Sequence, residues 1–184
     1  MSLFRNKYRN ESARLPGWDY RNAGAYFITI VTKNRFRYFG EIENGCMHYS
    51  PIGSIAHDLW NEIEYHEKNG VQLGEMVVMP DHLHGIIILP DTPVEIPPVG
   101  TLHATSLQSA DHSSSNHSDI SPKPGSVSTI VRSYKSAVSK YAHRLGFDFA
   151  WQPRFHDRII RDEREFENIT KYIRNNPRDW DLRS

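Results

Sequence analysis

Cysteine, long apolar runs and net charge are all scarce in this 184-residue chain, and each shortage excludes a class of protein. Cys46 is the only cysteine, so an internal disulfide framework is excluded and a reducing, cytoplasmic location is expected. The longest aliphatic run, residues 86–89, is far too short to span a membrane. Residues 1–9 contain no apolar segment of the kind that secretory signals require. The sequence therefore predicts a cytoplasmic protein without a membrane partner.

The net charge is zero because 22 Lys and Arg residues balance 22 acidic residues. The charges are nevertheless unevenly distributed along the chain. Residues 1–40 and residues 123–161 each contain eight Lys or Arg and two acidic residues, a local charge of +6 in both segments. Because nucleic acids respond to local patches rather than to the total charge, a nucleic-acid partner is not excluded. Two solvated basic faces are the alternative reading.

The length predicts one domain, and composition divides the chain into three parts. Residues 1–24 are polar and basic and are predicted to form an irregular N-terminal extension. Residues 25–180 carry the patterned segments and form the main domain. Residues 90–126 interrupt this domain with a tract that is first rich in proline and then rich in serine and histidine. Such a long unpatterned connection is predicted to be a flexible insertion.

Hydrophobic patterning predicts an α+β fold, in which helices pack on an antiparallel sheet. Runs of β-branched and aromatic residues predict strands at 25–32, on both sides of Asn44-Gly45, at 75–79, at 83–89 and within 150–161. Helical spacing of apolar residues predicts helices at 51–68, from 126 or 128 to 145, and from 162 to about 176.

Two histidines follow a proline at the start of an apolar, strand-like segment, in the order Pro80-Asp81-His82-Leu83-His84. Side chains alternate along a strand, so His82 and His84 point to the same face and can hold a divalent metal. Two ligands do not complete a structural zinc site, so substrate and water would fill the remaining positions, as in a catalytic centre. Asp81 either orients an imidazole or holds the turn. Gly85 is expected to leave room for a ligand or a close backbone.

The last predicted helix places Tyr172 and Asn176 one turn apart on one face. Tyrosine is a nucleophile that forms covalent phosphoesters, and the asparagine amide offers an oxygen ligand to a metal. Packing in the core is the alternative for Tyr172, and a plain helix end before Pro177 is the alternative for Asn176. Tyr134 and Tyr141 are competing nucleophile candidates, which rank lower because both lie on the apolar stripe of their own helix.

Three motifs in this order resemble the REP-associated tyrosine transposases, which belong to the HUH single-tyrosine nucleases. The motifs are Met79-Pro80-Asp81-His82-Leu83-His84-Gly85, Trp151-Gln152-Pro153-Arg154-Phe155-His156-Asp157-Arg158-Ile159-Ile160-Arg161 and Tyr172-Ile173-Arg174-Asn175-Asn176-Pro177. The resemblance covers residues 20–90 and 127–180, and the insertion at 90–126 departs from the compact family pattern.

The resemblance implies a single ferredoxin-like or palm-like domain that cleaves and rejoins single-stranded DNA. His82 and His84 would bind Mg²⁺ or Mn²⁺, and Asn176 would match the third ligand position. Imidazole ligands favour Mn²⁺ over Mg²⁺. Tyr172 would attack the scissile phosphate and form a 5′-phosphotyrosine. The implied substrate is a DNA hairpin flanked by a short guide sequence, and related enzymes occur as monomers or as homodimers.

Basic residues interleaved with aromatic ones are the predicted DNA-binding groups, because unpaired bases stack on aromatic side chains. They are Arg5, Lys7, Arg9, Arg14, Lys33, Arg35, Arg37, Arg132, Lys135 and Arg154. His156 is a further candidate to face the site, because side chains alternate between the two faces of the strand predicted within residues 150–161.

Two other functions remain open on the sequence alone. One is a nucleic-acid-binding module without chemistry, in which the motifs are remnants of the fold. The other is a metal-dependent nuclease that uses activated water, with Tyr172 in a structural role. A covalent protein–DNA adduct separates the transposase reaction from both alternatives.

Overall fold

The motifs singled out in the sequence are carried by a four-stranded antiparallel sheet and the helices on its two faces. The computed structural model describes residues 22–67, 70–91 and 125–180, together with the backbone of residues 3–4 and 7–8. The strands are β1 (Leu3–Phe4), β2 (Lys7–Tyr8), β3 (Gly24–Val31), β4 (Gly40–Glu43), β5 (Cys46–Tyr49), β6 (Gln72–Met79), β7 (His82–Leu89) and β8 (His156–Ile160). The helices are α1 (Pro51–Asn61), α2 (Ile63–His66), α3 (Val127–Arg144) and α4 (Glu163–Asn175).

The order of strands in the main sheet is β6-β7-β3-β8, and every neighbouring pair is antiparallel. Apart from the β4–β5 hairpin and the short α2, the chain runs β3-α1-β6-β7-α3-β8, which is the βαββαβ arrangement of ferredoxin-like folds. The predicted α+β class, with helices packed on an antiparallel sheet in a single domain, is therefore confirmed. None of the helices in the described ranges combines the length and the hydropathy that a membrane span requires.

Side-chain alternation divides the sheet into two apolar faces. One face packs against α1 and α3 in the larger core, which includes Tyr26, Leu83, Trp60 and Val138. The opposite face packs against α4 in a smaller cluster of Val77, Met79, Ile86, Ile160 and Ile173. Because even-numbered residues of β7 belong to the α4 face, His82 and His84 also lie on that face.

Helix starts follow local capping chemistry, which is why the sequence located them well. The side chains of Ser50, Ser126 and Asp162 each accept a hydrogen bond from a backbone N–H in the first turn of α1, α3 and α4. The predicted helix at 51–68 is shorter than expected, because α1 ends at Asn61 and a separate turn, α2, ends at His66. In the hairpin of β4 and β5, Asn44 and Gly45 both have positive φ, as an Asn-Gly turn requires.

Two predicted regions fall largely outside the described residues. Within the N-terminal extension, β1 and β2 pair in antiparallel register, so the prediction of irregular structure is wrong for residues 3–4 and 7–8. The remainder of residues 1–21 is not described. Residues 92–124, which make up almost all of the predicted insertion, also lie outside the described ranges.

Gly85 is required by packing and does not leave room for a ligand, so that expectation is wrong. A Cβ atom built on Gly85 would lie 2.3 Å from Cζ2 and 2.8 Å from Cε2 of the Trp60 side chain. Trp60 projects from α1 and is completely buried in the larger core. The missing side chain thus allows the indole to pack closely against β7, on the face of the sheet opposite the two histidines.

We expect Gly85→Ala to lower the free energy of unfolding by about 1–3 kcal/mol, because the buried indole has nowhere to move. For a domain of this size the midpoint of thermal unfolding would fall by about 2–4 °C per kcal/mol. In a Trp60→Phe background the same substitution should cost less, since the smaller ring leaves space for the methyl group. An unchanged unfolding midpoint in Gly85→Ala would contradict this account of the packing.

Candidate active site

The two histidines lie at the start of β7, immediately after the tight turn that joins β6 to it. Met79 pairs with His82 across this turn, and Val77 pairs with His84. Backbone bonds fix the turn from the outside, since the N–H of Thr32 donates to the Asp81 carbonyl at 2.9 Å. Both imidazoles are buried, with exposed fractions of 8% and 6%. The structure thus has His82 and His84 on the same face of β7, as the sequence predicted.

The imidazole rings of His82 and His84 face each other through their Nε2 atoms, which are 3.1 Å apart. The opposite nitrogen of each ring is already engaged. The Nδ1 atom of His82 is hydrogen-bonded to the Asp81 carboxylate, and the Nδ1 atom of His84 lies 2.8 Å from the Thr29 hydroxyl. Partners on Nδ1 fix the orientation of each ring and leave Nε2 for a ligand or a shared proton.

Asp81 is an ionised acceptor, and this determines which ring nitrogen of His82 donates to it. Burial alone would raise the pKa of the Asp81 carboxyl, but the hydrogen bond with His82 and the charges of His82 and Arg35 outweigh it. The net pKa therefore lies below its usual value. An ionised carboxylate only accepts hydrogen bonds, so Nδ1 of His82 carries the proton. The Arg35 guanidinium holds the other carboxylate oxygen at 3.3 Å.

Tyr172 meets the histidine pair from α4. Its hydroxyl oxygen lies 3.3 Å from Nε2 of His84, although the two residues are 88 positions apart in the chain. The Phe27 ring stacks on His84 at 5.2 Å between centroids and meets the Tyr172 ring edge-on at 6.1 Å. Tyr172 retains 38% exposure, so a large substrate can approach it from solvent. The core alternative for Tyr172 does not hold.

Asn176 is buried at the C-terminal end of α4, next to residues that contact both histidines. Tyr172 precedes it by one turn and approaches His84, while Trp180 follows it by four residues and packs against His82 at 5.9 Å between centroids. Its Nδ2 atom is buried and has no hydrogen-bond partner among the described residues. Rotation of the amide by 180° exchanges nitrogen and oxygen, so the same position can present an oxygen.

This donor set fits the divalent ion that the sequence resemblance implies. Two facing imidazole nitrogens 3.1 Å apart are both within reach of one ion at the usual metal–nitrogen distance of about 2.1 Å. Within the described ranges no group of three His, Cys, Asp or Glu side chains is arranged to hold a metal. A third protein ligand would therefore be a different oxygen donor, and the buried amide of Asn176 is of that kind.

The other two tyrosine candidates lie away from this centre. Tyr134 is buried on the opposite face of the sheet, where its hydroxyl donates to the Ala56 carbonyl at 2.8 Å and burial raises its pKa. Tyr141 is partly exposed on the same helix, α3. Neither is near His82 or His84 in the fold, in agreement with their lower rank.

Comparison with known proteins places this geometry in context. No protein-family model matches the chain. A protein of Haemophilus influenzae (strain ATCC 51907 / DSM 11121 / KW20 / Rd), named only as an uncharacterized protein, is 34% identical over 176 residues. The alignment covers 95% of this chain and 91% of the relative. The chain belongs to the same family as this relative.

The fold is that of a REP-associated tyrosine transposase. A solved structure of such a transposase bound to a REP hairpin matches with a TM-score of 0.53 and 18% identity. The match covers 96% of this chain and 73% of the transposase chain. The match thus confirms the fold that the sequence resemblance to this group implies.

The predicted DNA-binding residues fall into three sets. Arg5, Arg9 and Arg14 lie outside the described residues, as does the side chain of Lys7. Lys33, Arg35 and Arg37 follow β3. Arg35 binds Asp81, the partner of His82, and Arg37 lies 5.9 Å from the centre of the Trp180 ring, which packs against His82. Their neighbour Phe36 is 54% exposed, which suits base stacking.

The third set lies on or beside α3, across the sheet from the histidines. Arg132 is exposed on this helix. The Lys135 ammonium donates to the carbonyls of Gln152 and Arg154, both at 2.9 Å, and burial lowers its pKa. These bonds give Lys135 a structural role in holding the loop before β8. A role in DNA binding for Arg132, Lys135 and Arg154 stays a prediction.

His156 shares the face of the histidine pair but not their cluster. It pairs with Thr29 on one side of β3, and His84 pairs with Thr29 on the other side, so one strand separates the two histidines. His156 is exposed.

Sequence reasoning missed Phe27, Thr29 and Trp180, which all contact the imidazoles. Phe27 and Thr29 belong to the strand predicted at 25–32, and their contacts depend on how β3 aligns with β7. No local pattern in the sequence reports that register.

Proposed function

We propose that the protein is a metal-dependent, tyrosine-dependent transposase that cleaves and rejoins single-stranded DNA. The observation that carries this proposal is the position of the Tyr172 hydroxyl, 3.3 Å from Nε2 of His84 in a buried pair of facing imidazoles. A nucleophile beside a ligand pair is what phosphoryl transfer needs, because attack and charge neutralisation must occur at one phosphate.

The ligands for the ion would be His82, His84 and Asn176, and Mg²⁺ or Mn²⁺ would fill the site. When bound, such an ion neutralises charge on the non-bridging oxygens of the scissile phosphate. The chain's own residues prepare the site. Asp81 fixes the tautomer of His82, and Thr29 fixes the orientation of His84, so that both Nε2 lone pairs can be directed to one point.

Tyr172 would be the covalent nucleophile. Its phenolic oxygen forms a bond to phosphorus while the bond from phosphorus to the 3′ oxygen of the preceding nucleotide breaks. The phenol loses its proton as it attacks, the departing oxygen takes up a proton and becomes a free 3′ hydroxyl, and the 5′ phosphate remains on the tyrosine. Attack by another 3′ hydroxyl reverses the reaction, so rejoining needs no external energy source.

The substrate would be single-stranded DNA next to a hairpin. The fold neighbour is bound to a REP hairpin, which supports this class of substrate for the present chain. The segment from Lys33 to Arg37 adds support, because Arg35 and Arg37 contact Asp81 and Trp180, which both contact His82, and the exposed Phe36 ring lies between them in the chain. A homodimer remains an open expectation.

The proposal is tested by incubating the purified protein with end-labelled hairpin oligonucleotides and Mn²⁺, followed by a denaturing gel. A protein-linked DNA band and a product with a free 3′ hydroxyl are expected, with Tyr172 identified in the linked peptide by mass spectrometry. Cleavage without a linked band would favour a nuclease that uses activated water. Tight binding to a panel of hairpins without any cleavage would favour a module that only binds nucleic acid.

The contact between Asp81 and His82 provides a separate test of the metal site. We expect Asp81→Asn to weaken Mn²⁺ binding about 10- to 100-fold, as loss of such a supporting carboxylate does in other metal sites. The variant retains the size of the side chain but loses the negative charge that faces Nδ1 of His82. Titration calorimetry with Mn²⁺ measures the affinity directly. Wild-type affinity in Asp81→Asn would contradict the role assigned to this carboxylate.

A further inference from the structure

A polar cleft of about 460 Å³ runs from Tyr172 along α4 towards the end of β8. Tyr172 lines it at the end nearest the histidines. The other lining residues come from the last strand, from the turn after it and from the first two turns of the last helix, and they are Arg158, Arg161, Asp162, Arg164, Glu165, Asn168 and Ile169. None of these seven is among the DNA-binding residues that the sequence predicted.

Positions on α4 place the cleft in line with the nucleophile. Arg164, Asn168 and Tyr172 are spaced four residues apart and therefore lie on one stripe of the helix. The stripe from Arg164 to Tyr172 is about 12 Å long at 1.5 Å per residue. This length matches about three to four stacked nucleotides at 3.4 Å per step.

The cleft is electropositive although it contains two carboxylates. Glu165 is paired with the Arg158 guanidinium, and it also accepts the backbone N–H of Arg161 at 2.9 Å. Asp162 caps α4 by accepting the N–H of Glu165 at 2.7 Å. Arg161 and Arg164 are exposed residues, and neither forms an ion pair with a described residue. Two cations therefore remain available to an anionic ligand.

The chemistry of the lining indicates which part of DNA it would contact. Tyr172 is the only aromatic residue among the lining side chains, so the cleft offers no platform for stacked bases. Guanidinium groups instead form charge-assisted, bidentate hydrogen bonds with phosphate oxygens. Contacts of this kind position a strand without reading its sequence.

We propose that this cleft holds the sugar–phosphate backbone of the strand that leads away from the scissile phosphate, with Arg161 and Arg164 contacting its phosphates. The proposal rests on the proposed function, because Tyr172 defines the end at which the scissile phosphate would lie. The strand then crosses the active site between two basic regions. The segment from Lys33 to Arg37 lies on the His82 side, and the cleft begins on the His84 side, at Tyr172.

The test compares an Arg161→Ala/Arg164→Ala double variant with a Lys140→Ala/Arg144→Ala control, which removes the same charge from exposed positions of α3 across the sheet. Fluorescence anisotropy with a single-stranded oligonucleotide in EDTA, at a series of salt concentrations, measures binding without cleavage. Each phosphate contact contributes about 0.7 to the slope of log K against log salt. For Arg161→Ala/Arg164→Ala, called the cleft variant below, the magnitude of this slope should fall by about 1.4. That change corresponds to roughly 25-fold weaker binding at 0.1 M salt.

A slope and an affinity equal to those of the Lys140→Ala/Arg144→Ala control would overturn the cleft proposal. Adduct formation with Mn²⁺ separates this failure from failure of the proposed function. If wild-type protein forms the adduct and the cleft variant binds normally, only the cleft proposal is wrong. If the cleft variant loses slope and wild-type protein forms no adduct on any hairpin, the cleft does bind DNA and the tyrosine reaction is wrong.

Neutral methylphosphonate linkages add a positional test. Single substitutions within three to four nucleotides on one side of the cleavage site should weaken binding of the wild-type protein. The same substitutions should have little effect on the Arg161→Ala/Arg164→Ala variant, because the two changes remove the same contact. Equal weakening in both proteins would contradict direct contact between these arginines and the phosphates.

Discussion

Tyr172→Phe should abolish the covalent protein–DNA adduct and lower the rate of strand cleavage by at least about 1,000-fold. The substitution removes the hydroxyl that lies 3.3 Å from Nε2 of His84 and retains the ring that packs against Phe27. Because the ring is kept, the fold and the affinity for DNA should change little. A denaturing gel with labelled hairpin DNA and Mn²⁺ measures both the adduct and the cleavage product.

Tyr141→Phe is the matched control for this experiment. Tyr141 has a similar exposed fraction, 44% against 38%, but it lies on α3 across the sheet. The control variant should form the adduct at the wild-type rate. Adduct formation by Tyr172→Phe would show that another residue is the nucleophile. Cleavage at the wild-type rate without an adduct in either protein would assign the reaction to activated water.

His82→Ala and His84→Ala should each weaken Mn²⁺ binding at least about 100-fold and bring cleavage below detection. Each substitution removes one of only two imidazoles in the donor pair. The loss of Mn²⁺ affinity should therefore exceed the roughly 10- to 100-fold loss expected for a residue that merely supports a ligand. Titration calorimetry or the electron paramagnetic resonance signal of free Mn²⁺ reports the affinity without relying on activity. Circular dichroism establishes whether each variant is folded.

His156→Ala is the control for the two histidine variants. His156 lies on the same face of the sheet, but β3 separates it from His84 and its side chain is exposed. Its removal should leave Mn²⁺ affinity within about twofold of wild type. An equal loss of affinity in His156→Ala would place the metal elsewhere on this face. Full affinity in folded His84→Ala would show that the facing imidazoles do not hold the ion.

Residues close in sequence were predicted well, because local geometry alone relates them. A period of two places His82 and His84 on one face of a strand, and a helical turn places Tyr172 and Asn176 on one face of a helix. The capping residues Ser50, Ser126 and Asp162 fixed the starts of the three main helices for the same reason. Gly85 was misread, since its neighbour Trp60 comes from a different element.

The sequence by itself determined the main strands and helices, the two candidate catalytic motifs and, through the resemblance, the expected reaction. Tertiary structure decided which side chains meet. His84 and Tyr172, 88 positions apart in the chain, are brought together by packing of α4 on the sheet, and the register of β3 against β7 brings Thr29 to His84. The same packing forms the cleft of Arg158, Arg161 and Arg164 beside Tyr172. Strand register and helix docking depend on the summed burial of many apolar side chains, so no short stretch of sequence encodes them.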